Sequence, residues 1–108
     1  MGMPDDRKSD DNRSAEAVGR RLHTLRMALG YASKQGAFAR VLGITQQAWN
    51  NYESGRRKIS VDQALLVMDI TGVTLDWIYC GHSAGVPLAL SERIAKARDL
   101  QQIQELHA

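Results

Sequence analysis

The sequence predicts an all-α domain: five short helices followed by an additional C-terminal helix. Three observations predict it. Apolar residues recur at three- and four-residue spacing in one segment after another, and no strand-like alternation appears. Most segments open on Ser or Thr, whose hydroxyls accept from the free N–H groups of a helix start. Most close on a glycine, at Gly30, Gly43, Gly55, Gly72 or Gly81. With 108 residues the chain fits one small domain with tails, long enough to bury a core of that many helices.

Residues 1–13 are polar, carry charges of both signs and read as a disordered tail. Ser14 caps the first helix, whose Val18, Leu22, Leu25 and Leu29 line one face until Gly30. Ser33 is the expected cap of a second helix over about Lys34–Leu42, with Phe38, Ala39 and Leu42 inward. Gly43 then supplies a positive-φ turn that a side chain would resist. Thr45 caps the third helix, which runs to about Ser54 before Gly55. Ser60 and Gln63 have capping-box spacing. The fourth helix behind them is expected to turn Val61, Ala64, Leu65 and Met68 inward and to end near Gly72. Thr74 caps a fifth, Leu75–Cys80, closed by Gly81. His82–Pro87 read as a loop, and Ser91 starts a last, weakly amphipathic helix through Ile94, Ala97, Leu100 and Ile103. The expected organisation is thus a tail, a domain over 14–81 and a C-terminal region over 82–108.

Charge is unevenly placed. Residues 1–17 carry net −2 and residues 61–108 net −3, while residues 18–60 carry +7 with Glu53 as their only acid. That is the footprint of a protein with a polyanionic partner. No apolar run approaches the roughly 20 residues of a membrane span, and no apolar signal segment is visible. The single Cys80 has no internal disulfide partner. These features fit a cytoplasmic, nucleoid-associated protein. His23, His82, His107 and Cys80 do not stand at metal-ligand spacing. No catalytic constellation, cofactor motif or small-molecule ligand domain is evident, so the reading is non-enzymatic, without metal or cofactor.

The third helix is the most informative segment. At about 100° per residue, Ala48, Trp49 and Tyr52 share one side, with Thr45 at its edge. Gln46, Gln47, Asn50, Asn51 and Ser54 share the other. The second side is uncharged and rich in amides, which pair bidentately with adenine in the major groove of duplex DNA. Arg56, Arg57 and Lys58 follow at once. Amides that read bases beside cations that grip phosphates suit a DNA reader.

These residues, with Gln35, Phe38-Ala39, Leu42-Gly43-Ile44, Thr45-Gln46-Gln47, Tyr52-Glu53, Gly55-Arg56 and Val73-Thr74-Leu75-Asp76-Trp77-Ile78, form an ordered set. From about Val18 to Gly81 the chain resembles the Cro and phage-repressor type of helix-turn-helix domain, the XRE family. The resemblance implies a lambda-repressor-like, five-helix fold with the third helix as recognition helix. Gln46, Gln47, Asn50 and Asn51 are then the expected base contacts. Gln35, Thr45, Ser54, Arg56, Arg57, Lys58 and Arg26 are the expected phosphate contacts. Gly43, Glu53, Trp49 and Tyr52 are structural, with Arg26 and Glu53 pairing between the first and third helices. The Tyr52 hydroxyl is a further candidate for phosphate. Gly36 and Ala37 depart from the family's longer, often acidic residues, which predicts a weaker second helix. The implied function is a transcriptional regulator, a repressor binding double-stranded DNA as a homodimer through the fifth or the last helix. The competing reading is an antitoxin-like or adaptor module that binds protein first and DNA second.

Overall fold

The computed structural model describes residues 11–107, all of its regular elements helical. They are α1 (Ala15–Ala28), α2 (Gln35–Leu42), α3 (Gln46–Glu53), α4 (Val61–Thr71), α5 (Leu75–Cys80) and α6 (Leu88–His107). The tail expected over 1–13 lies mostly outside the described residues. Residues 11–13 are helical, and the Asn12 carbonyl accepts from Arg21 Nη2.

α1 is the hub, with α3, α5 and α6 packed around it. Val18, Leu22 and Leu25 on its inner face are essentially inaccessible. They meet Phe38, Ala39 and Leu42 from α2, Trp49 and Tyr52 from α3, and Trp77 and Ile78 from α5 in one continuous core. Phe38 joins Tyr31 at 5.1 Å and Trp49 edge-on at 5.5 Å between ring centroids. Such aromatic pairs add to the stabilisation from area burial alone. The back of α3 is therefore clamped by rings.

Four hydroxyl caps stand where the sequence places them. Ser14, Thr45, Ser60 and Thr74 accept from the N–H of Ala17, Ala48, Gln63 and Trp77. The turn between α2 and α3 closes with Gly43 at φ 78°. Gly43 N–H donates to Arg40 and Ile44 N–H to Ala39, the paired bonds of a Schellman motif.

Four expectations are corrected. Ser33 does not cap α2; Lys34 occupies that position and makes no side-chain cap bond. The capping box is half formed, because the side-chain Oε1 of Gln63 accepts from the Tyr52 hydroxyl instead of reaching back. In α4 Ala64 is buried as expected, but its buried companion is Val67; Leu65 and Met68 are only partly buried and Val61 is 56% exposed. α6 begins at Leu88, directly after Pro87, rather than at Ser91. Pro suits that place, since it lacks the N–H that a helix start leaves unpaired. Only the first half of α6 joins the core, through Leu90, Ile94 and Ala97; Leu100 and Ile103 are about half exposed.

One residue that the sequence pattern hides fixes the pose of α3. Gly19 lies inside α1, and a Cβ there would sit 2.5 Å from the carbonyl oxygen of Tyr52 and 2.6 Å from that of Glu53. These are backbone atoms of α3 and cannot turn aside. Gly19 thus lets two helices meet at backbone distance.

Candidate nucleic-acid interface

The outward side of α3 is built by what holds its inward side. Trp49 is wholly buried and Tyr52 nearly so. Both polar tips are engaged: Trp49 Nε1–H donates to Glu53, and the Tyr52 hydroxyl donates to Gln63. With that side fixed, the helical period leaves Gln46, Gln47 and Asn50 exposed and Asn51 half-buried. The basic residues Arg56, Arg57 and Lys58 follow in an exposed loop. Arg57 N–H donates to the Asn51 carbonyl at 3.2 Å, which ties that loop to the end of α3. Thr45, Gln47, Ala48, Asn51 and Arg57 line one shallow hollow. The helix start, two amides and one cation of the predicted set are therefore neighbours.

Behind this face lies a polar knot centred on Glu53, whose side chain is only 6% exposed. Arg26 Nε donates to Oε2 at 2.7 Å and Arg26 Nη2 to Oε1 at 3.0 Å, a bidentate pair. Gln35 Nε2 donates to Oε1 at 3.2 Å, and His23 Nδ1 lies 3.1 Å from the same oxygen. Burial alone would raise this carboxyl. The hydrogen bonds from His23 and Arg26, with their charges, outweigh it and hold the pKa at about 2, below the ordinary 4.5. Arg26 also donates through Nη1 to the carbonyls of Tyr31 at 2.8 Å and Ala32 at 2.9 Å. One side chain thus binds α1, the α1–α2 link and the end of α3 together.

In that geometry several residues of the predicted phosphate set already have partners within the protein. Four of the five N–H groups of Arg26 are spent, and the remaining one faces His23 Nδ1 at 3.3 Å. A phosphate would have to break the knot to reach them. Gln35 uses both amide protons, one on Glu53 and one on Asn50 Oδ1 at 3.4 Å. It braces α3 from the first turn of α2. In this structure the Ser54 hydroxyl donates to the Asn51 carbonyl and the Tyr52 hydroxyl to Gln63. Thr45 differs: its oxygen accepts from Ala48, and its own proton remains to be donated.

The periodicity did not single out Lys34, His23 or Gln63. Lys34 is exposed beside Gln35 at the head of α2. His23 stands three residues before Arg26, a spacing that puts both on one helix face and was readable as a pair. Gln63 reads along the chain only as a capping-box residue, because its partner Tyr52 comes from another helix. Among the described residues no group of three or more His, Cys, Asp and Glu could hold a metal ion. None of their helices is long and apolar enough to cross a membrane.

Two helices meeting through a glycine turn, the second with an exposed amide face beside cations, define the class of helix-turn-helix DNA-binding proteins. The family model described as a helix-turn-helix domain matches residues 17–76, and the chain belongs to that family. The match spans α1 to α4 and the start of α5. It is consistent with a domain of the XRE type. No curated protein and no solved structure matches the chain.

Proposed function

We propose that this protein is a sequence-specific transcriptional repressor that lays α3 in the major groove of an operator. The observation that carries the reading is the amide face of α3, held outward by the buried Trp49 and Tyr52 and flanked by Arg56, Arg57 and Lys58. Gln46, Gln47 and Asn51 read base edges, and Asn50, fixed by Gln35, reads alongside them. Thr45, Arg56, Arg57, Lys58 and Lys34 hold phosphates. Repression is by occupancy: a bound operator excludes polymerase.

Two copies bind two half-sites about one helical turn apart. So few base contacts per domain make pairing physically necessary for tight binding. The exposed Leu100 and Leu106 on the outer half of α6 favour that helix as the pairing surface, since the inner half is already spent on the protein's own core. α5 is the weaker candidate because Trp77 and Ile78 face inward.

Selection of bound sequences from random duplex DNA tests the reading. The expected product is a two-fold symmetric consensus with conserved positions in each half-site. Recovery of unenriched sequence would reject sequence-specific regulation.

A further inference from the structure

We infer that Gly36 is a specificity-determining position for DNA readout, acting by leaving room for Gln46. Gly36 is in the first turn of α2, where a glycine would merely weaken the helix if nothing else used the space. Something does use it. A Cβ at Gly36 would lie 2.7 Å from Gln46 Oε1, 3.1 Å from its Cδ and 3.4 Å from its Nε2. The whole amide of the first residue of α3 therefore rests on the bare backbone of α2. The neighbouring amide pair, Gln35 to Asn50, bridges the same two helices one turn further along α3. Two of the base-reading amides thus take their orientation from the first turn of α2.

The consequence follows from what surrounds each atom. At Gly19 an added methyl would strike backbone, and the fold must respond. At Gly36 it strikes the free end of a flexible, exposed side chain, which can swing away. The fold survives and the amide moves by at least about 0.7 Å, from 2.7 Å to the 3.4 Å where ordinary contact begins. A bidentate pair to a base depends on placement at that scale. Gly36 is thus a positioning residue: it touches no base and sets where Gln46 can be.

The inference rests on the reading of α3 as the recognition helix, and the test separates the two. Binding preferences of the native protein, Gly36→Ala, Gln46→Asn and the double variant are compared by selection from random duplex DNA, with thermal unfolding of each. The expected result for Gly36→Ala is a Tm equal to or above the native one. Discrimination at one base pair of each half-site changes about fivefold to a hundredfold, with the other positions retained. In the Gln46→Asn background, whose shorter amide no longer reaches Gly36, the same methyl should change nothing further. An unaltered preference in Gly36→Ala overturns the inference while leaving the regulator reading intact. So does an equal loss on every sequence that persists in the Gln46→Asn background, which would mark Gly36 as a backbone-approach site. Should Gly36→Ala unfold, the Gln46→Asn selection decides: a preference identical to the native one overturns the inference. A native protein without any duplex preference overturns both.

Discussion

Glu53→Gln is the substitution whose effect the geometry prescribes most fully. It keeps the shape of the side chain and removes the charge on which Arg26, Gln35 and Trp49 converge and beside which His23 lies. A carboxyl held at about 2 instead of 4.5 contributes about 3 kcal/mol at neutral pH, at about 1.4 kcal/mol per pH unit. A similar figure follows from the other side of the pair. Arg26, whose side chain is 7% exposed, would be left as a buried cation without its counter-charge, at a cost of about 3–5 kcal/mol. The sign of the pH dependence is fixed by the direction of the shift. The folded pKa lies below the unfolded one, so the stabilisation is complete above about 4.5 and is lost as the pH falls towards about 2. Urea unfolding of native and variant protein, followed by far-ultraviolet circular dichroism across that range, measures the difference. The variant should be less stable by about 3 kcal/mol near neutral pH, and the gap should close as the native carboxylate becomes protonated. A gap that stays constant from neutral pH down to about 2.5 would refute the assignment of this stabilisation to Glu53.

Three further outcomes are expected. Gly19→Ala should destabilise the domain by about 1–3 kcal/mol through overlap with the α3 carbonyls, overriding the gain of about 1 kcal/mol that Ala brings to a helix interior; a rise in Tm would show that α1 and α3 separate easily. Leu25→Ala, at a fully buried site, should cost about 2–5 kcal/mol in chemical unfolding, and a loss below about 1 kcal/mol would mean that the core collapses around it. Gln47→Ala should relax sequence preference in competition binding while leaving affinity for random duplex unchanged; a uniform loss on all sequences would place Gln47 on phosphate.

The local signals were legible because they act within one helix. A hydroxyl at Ser14, Thr45, Ser60 or Thr74 needs only its own N–H three residues on, and glycine at Gly43 needs only its own φ. The division of α3 into an aromatic side and an amide side was legible for the same reason. What the pattern could not show is partnering between helices. The Arg26–Glu53 pair is the one that the family resemblance implies, but the bonds of Arg26 to the carbonyls of Tyr31 and Ala32, and of Gln35 to Glu53, come into view only when the helices are assembled. Val61 fits a helical stripe, yet the neighbours of α4 cover Val67 beside the expected Ala64. Gly36 reads as a weak point along the chain and becomes a seat for Gln46 only when α3 folds back over it.

The most direct test of the central claim is the affinity for a mixed-sequence duplex as a function of salt, by fluorescence anisotropy, for the native protein and for Arg56, Arg57 and Lys58 replaced together by Ala. The native protein should bind at low ionic strength. The log–log salt slope should flatten by about 0.9 per phosphate contact, about 2.7 for all three cations. Absence of binding at the lowest salt, or a slope indifferent to the three replacements, would contradict the account.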